Sequence, residues 1–219
     1  MERKTKAAKN SVGETASQRI LLEEYKSIHN DYLRLRSEGV TRVNFFITSA
    51  SVALGGVFVL GSSNNTPIIY FKIILLATLT LLAIISMEIY YYLIQRDIGS
   101  DRHIRGLARR RNYFIEIDPS IKGYFIHTLY DTPTAYLVMK SSGMRRTTQI
   151  IEGFFVGSAL AILSTFLPLI PEVNFGIGLV AVFLTITVLE TNARRKLGKA
   201  SKNAEKEIKF DKQKNGGAS

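Results

Sequence analysis

The sequence predicts an all-α fold, an integral membrane helical bundle with four transmembrane helices paired as two hairpins. Three observations predict it. Apolar residues gather into four blocks almost free of charge, Lys and Arg fill the segments flanking the hairpins, and the link inside each hairpin is short. The expected organisation is an N-terminal amphipathic helix over 1–42, a first transmembrane hairpin over 43–94 and a basic cytoplasmic insert over 95–149. A second hairpin over 150–191 and a charged cytoplasmic tail over 192–219 complete it.

The blocks justify the spans. Val43 to Leu60 carries no charge over 18 residues, which at 1.5 Å per residue reaches roughly 27 Å, close to the hydrocarbon thickness of a bilayer. Ile68 to Met87 carries one charge, Lys72, near enough to its start for the side chain to snorkel to the headgroups. Gly153 to Ile170 is uncharged and ends among prolines, and Val173 to Leu189 follows. The expected outer links are Gly61 to Pro67 and the dipeptide Pro171-Glu172.

Basic residues set the orientation. The chain has 219 residues and 29 Lys and Arg against 18 Asp and Glu, a net charge of +11. Residues 1–43 hold nine of the 29, residues 96–148 ten and residues 193–219 nine; Lys72 is the last, and neither outer link has any. This asymmetry places both termini and the insert in the cytoplasm of a cell membrane, as a multi-pass protein. It also assigns the charge to topology and anionic lipid headgroups rather than to nucleic acid. No cleavable leader is expected, because the first 42 residues contain no apolar run.

Between these blocks the polar segments read as helices. Leu21, Tyr25, Ile28, Tyr32 and Leu35 recur at spacings of 4, 3, 4 and 3, a heptad seam with Ser17 as its N-cap and Gly39 as a break or kink before the membrane. The seam packs on the protein's own middle segment or on a second copy. After span two, Tyr90 to Tyr92 suit the interface. Arg102, Arg105, Arg109, Arg110 and Arg111 then form a basic stretch that contacts lipid or a protein partner, on a continuation of span two or on a separate surface helix. Tyr113 to Ile117 fits a helix or a strand, Asp131-Thr-Pro133 a turn or helix start, and Asp97 and Asp101 a solvated helix face. The tail frays at its end.

Candidate sites are few. Glu88, Glu152 and Glu190 fall at one membrane depth, with Arg42, Arg145 and Arg146 at the same level. They form an acid ring at the mouth of an oligomeric pore, or each meets an arginine and anchors its helix. Gly153 and Gly157, like Ser51 and Gly55, have the small-residue spacing that lets helices approach closely, inside one bundle or between copies. Phe45-Phe46-Ile-Thr-Ser-Ala and Phe154-Phe155-Val-Gly-Ser-Ala hint at a parallel repeat of the two hairpins. No catalytic motif, cofactor-binding motif or metal-ligand spacing is visible: His29, His103 and His127 are scattered and cysteine is absent.

The run Leu22-Glu-Glu-Tyr-Lys, the tight first hairpin and the arginine helix Arg96 to Arg111 together resemble SLATT-type prokaryotic membrane proteins. That resemblance covers the first half of the chain and implies a pore-forming effector of nucleotide-signalled conflict and antiphage systems. It assigns no residue, and the second hairpin departs from the two-span plan of that family. The leading expectation is therefore a non-enzymatic membrane protein that forms a homo-oligomer, a channel or membrane-disrupting defence effector controlled from the cytosol. The alternative is a membrane anchor or accessory subunit that binds a cytosolic protein partner or anionic lipid through its basic insert.

Overall fold

The computed structural model describes residues 16–62, 66–127, 129–134, 137 and 143–210. They form four long α-helices and one short 3-10 helix: α1 (Ala16–Gly61), α2 (Ile68–Ile117), the 3-10 helix η1 (Pro119–Tyr124), α3 (Gly143–Ser164) and α4 (Pro171–Lys206). No strand occurs among the described residues. All four long helices are long and apolar enough to cross a membrane. The capping side chain expected at Ser17 and the tail beyond 210 lie outside the described residues.

Helix length is the first surprise. α2 has 50 residues and so runs about 75 Å, more than twice the thickness of a bilayer core. It is apolar at its start and charged at its end without interruption, so the arginine stretch continues span two and is no separate surface helix. Tyr113 to Ile117 is its last turn, not a strand. α1 is likewise one 46-residue helix from seam to span. Gly39 does not break the helix there. A mid-helix glycine costs only about 1 kcal/mol, and this one makes room: a Cβ added to it would lie 2.9 Å from Arg96 Cδ, so the arginine of α2 crosses directly over α1 at this point.

α1 and α2 pack antiparallel along much of their length, as do α3 and α4, with α3 also packed on α2. The heptad seam faces α2 within the same chain. The Arg111 guanidinium lies 5.8 Å from the Tyr25 ring, Arg110 pairs with Glu24, and Tyr92 donates to Glu38 at 3.2 Å. Of the two expectations for the seam, the chain satisfies the first.

The second hairpin differs from its expected outline. α3 stops at Ser164, because Pro168 disfavours helix in the residue before it, and residues 165–170 form the link. Pro171 and Glu172 are not the link: they open α4, where a proline at the first helical position loses no intrahelical hydrogen bond. α4 then continues as one helix through the charged tail to Lys206.

Two cores hold the bundle. Phe46, Ala50, Leu79, Leu82 and Phe155 join α1, α2 and α3, with the Phe46 and Phe155 rings edge to face at 6.0 Å. Tyr90, Ile94, Leu137, Leu189, Ala193 and Leu197 join α2 to α4. Around them is an outward belt of large exposed side chains, including Phe45, Val52, Val59, Ile68, Phe175 and Phe183. A belt of this size is far beyond the apolar patches of water-soluble monomers and matches a hydrocarbon solvent.

Candidate functional site

The buried face of α2 is polar over much of its length. Ser86, Tyr90, Asp97, Asp101 and Arg105 are separated by 4, 7, 4 and 4 residues, which keeps them on one side of the helix. Each of them is buried. Together they form a column from the apolar part of the bundle to its charged end.

At the apolar end, Ser86 and Glu152 lie side by side, the glutamate only 1% exposed. Ser86 Oγ and Glu152 Oε2 have no hydrogen-bond partner. One step along, Tyr90 donates to the Leu189 carbonyl at 2.7 Å and accepts from Gln149 Nε2 at 2.9 Å. Gln149 also donates to Glu190 at 3.0 Å, and Glu190 accepts from Arg194 at 3.0 Å.

The middle of the column is ionic. Asp97 accepts from Arg96 on one oxygen and from Arg145 on the other, each at 2.8 Å. Arg145 is wholly buried, and its Nε and Nη2 have no acceptor. Asp101 accepts from the backbone N–H and hydroxyl of Thr134 at 2.8 and 2.9 Å, with Arg105 at 3.8 Å. Arg105 donates to the carbonyls of Asp131 and Ala204, tying the 131–134 segment to the end of α4.

Asp131 closes the column. Its buried carboxylate accepts from Arg109 at 2.6 Å and from the backbone N–H groups of Lys209 and Phe210 at 3.1 and 2.8 Å. Burial pushes this carboxyl up, but the Arg109 and backbone donors outweigh burial and hold it below the usual carboxylate range. The folded state therefore gains stability from Asp131 above the ordinary value near 4, and loses it as pH falls through the lower folded value. Asp131→Asn is expected to lower the melting temperature at neutral pH, with the gap to wild type closing in acid. Melting curves across that range check it; a gap independent of pH would contradict it.

The residues singled out from the sequence are distributed as follows. Glu152 is inside the column and Glu190 at its edge, whereas Glu88 is exposed, some 200° around α2 from Ser86. Glu190 does meet an arginine, Arg194 of its own helix, but among the described residues no ion pair joins Glu88 or Glu152 to one: Arg145 goes to Asp97, Arg42 stacks on the Tyr92 ring at 4.1 Å, and Arg146 is exposed. Within one chain, then, they line no common ring. Of the basic stretch, Arg105 and Arg111 are buried, Arg109 and Arg110 bind Asp131 and Glu24, and Arg102 alone of the five is exposed. Gly153 and Gly157 face α4: a Cβ on Gly157 would lie 2.7 Å from the Gly178 carbonyl, and one on Gly153 would lie 3.0 Å from Ile186. Gly55 has nothing within 4 Å of such an atom, and Ser51 beside it is exposed.

Asp97 and Asp101 correct the sequence reading, which gave them to solvent. They are 5% and 2% exposed. A signal existed: both are in register with Tyr90, Ile94 and Ala108, and that apolar register continues past the arginines. Asp131, Thr134 and Gln149 carried no comparable signal. Among the described residues no three His, Asp or Glu side chains converge as a metal site would require. The column couples α2, α3 and α4 through buried hydrogen bonds and ion pairs. No family model, curated protein or solved structure matches this chain significantly.

Proposed function

We propose that the chain is a non-enzymatic, multi-pass membrane protein that self-associates and acts as a channel or membrane-disrupting effector controlled from the cytosol. Its termini lie in the cytoplasm, on the side that the basic segments mark. The observation that carries this reading is the polar column: buried polar groups run from the charged end to the edge of the apolar blocks and finish at Ser86 and Glu152, neither fully partnered. Ionisable groups at that depth are costly, and they persist where a protein must admit water, protons or ions. Helix continuity supports control from outside the membrane. α1, α2 and α4 each join a charged segment to an apolar one as a single rod, so a shift at the cytosolic end reaches the spans. The layout shared with SLATT-type proteins points the same way. Ser51 and Gly55, unused within the chain, offer a face to a second copy.

The alternative, an anchor that holds a partner through its basic insert, has less support, because of the five arginines in the stretch Arg102 to Arg111 four have partners within the chain. The test uses full-length protein: its mass in detergent, then cation flux in proteoliposomes, with Glu152→Gln alongside. An oligomer larger than a dimer that conducts, with flux altered by Glu152→Gln, is the expected result. A monomer without flux would overturn the proposal in favour of the anchor.

A further inference from the structure

Where α1 crosses α2 there is a cleft of about 300 Å³ that touches the polar column only at Asp97. Tyr32 and Arg36 of α1 form one wall, Arg96, Asp97 and Ser100 of α2 the other, and α3 starts at its edge with Gly143 and Met144. The charges decide its preference. Asp97 is the only acid in the lining, and both of its oxygens are engaged, one by Arg96 and one by Arg145. Arg36 has no carboxylate partner; its guanidinium only donates to the Tyr32 hydroxyl at 3.5 Å. Arg36 and Arg96 thus line the cleft with one carboxylate, which Arg145 also pairs with from outside the lining, leaving an excess positive charge. Gly143 and Met144, in the first described turn of α3, bring no acidic residue to the cleft. Arg145, one residue from Met144 and bonded to Asp97, keeps two guanidinium N–H groups without an acceptor although it is wholly buried.

We infer that this cleft binds a phosphate group. Guanidinium forks and tyrosine and serine hydroxyls are the donors that recognise a tetrahedral oxyanion. Its volume is at the low end for small-molecule sites, enough for a phosphate with a small substituent and too little for a larger ligand to be enclosed. Arg36 lies seven residues before Val43, about 10 Å along the helix from the start of the apolar block. That is the outer edge of a headgroup layer, within reach of a lipid phosphate from one side and of a soluble phosphate from the other. Gly39 leaves the space through which the Arg96 side chain crosses α1 into the cleft. The inference goes beyond the proposed function and stands or falls without any flux measurement.

The test is thermal unfolding of the full-length protein in neutral detergent, with inorganic phosphate titrated against chloride at constant ionic strength. Phosphate is expected to raise the melting temperature, with the apparent affinity about tenfold weaker in Arg36→Gln, the loss of one charge-assisted contact. Tyr32→Phe should show a smaller loss, and Arg102→Gln, exposed and outside the cleft, none. Nanodiscs of phosphatidylcholine, with and without phosphatidylglycerol, then separate the sources. Loss of the phosphate effect only in discs containing phosphatidylglycerol identifies a lipid headgroup as occupant; its persistence in both identifies a soluble ligand. No stabilisation beyond that of chloride, or the same response in Arg36→Gln and wild type, would overturn the inference.

Discussion

Asp97→Ala is expected to cost about 3–5 kcal/mol, enough to leave a substantial fraction of the protein misassembled. The size follows from what the substitution leaves behind. Arg145 is wholly buried, and Asp97 is its only ion-pair partner among the described residues. Without the carboxylate, a guanidinium would remain in the bundle with no counter-charge, and its other two nitrogens already lack acceptors. Arg96 does not share this fate, because its side chain is 10% exposed and can turn toward water. The asymmetry yields a sharper expectation. Combining Asp97→Leu with Arg145→Met removes both charges and should recover most of the loss, since an apolar pair of similar size often replaces a buried ion pair at no net cost. Melting curves in detergent of the single and double variants would decide. A single variant as stable as wild type would mean that Arg145 finds another partner, and a double variant as unstable as the single would mean that the pair specifies the bundle rather than balancing charge.

The same residues show where the sequence stops being legible. Four blocks almost free of charge read correctly as four long helices, because an apolar run of bilayer length has few other physical outcomes. The continuity of α1 and α2 was harder to read. Gly39 has the chemistry of a helix break, and only the neighbouring Arg96, 57 residues away in sequence, gives it a reason to sit mid-helix. Pro171 reads equally well as a loop residue or as the first residue of a helix, and the choice depends on α3 having ended at Ser164. The polar column was nearly invisible. Acids four residues apart among arginines describe a solvated helix face, and the same pattern describes a buried one once α3 and the 131–134 segment supply partners. Local spacing cannot tell these apart, because the deciding term is the desolvation imposed by elements remote in sequence.

Gly157→Ala and Gly55→Ala should change stability in opposite directions, although both replace a helical glycine in an apolar block. On propensity alone each gains close to 1 kcal/mol. At Gly55 nothing lies within 4 Å of the added carbon, so the gain should be realised. At Gly157 the carbon would stand 2.7 Å from the Gly178 carbonyl and 3.3 Å from the Val182 nitrogen. Those are backbone atoms of α4, which cannot turn aside as a side chain can, so α3 and α4 must separate. Overpacking of this kind costs about 1–3 kcal/mol, and Gly157→Leu should cost more. Gly178 itself would clash in return, with its added carbon 3.1 Å from the Gly157 carbonyl, so the two glycines form one contact and their substitutions should not add. Melting curves measure the folding side, and mass in detergent measures the assembly side. Gly55→Leu is the informative partner there: if copies meet through Ser51 and Gly55, it lowers the oligomer without lowering the melting temperature of the subunit. An unchanged oligomer would exclude that face of α1 and leave the outward surfaces of α2 and α4 to carry the assembly.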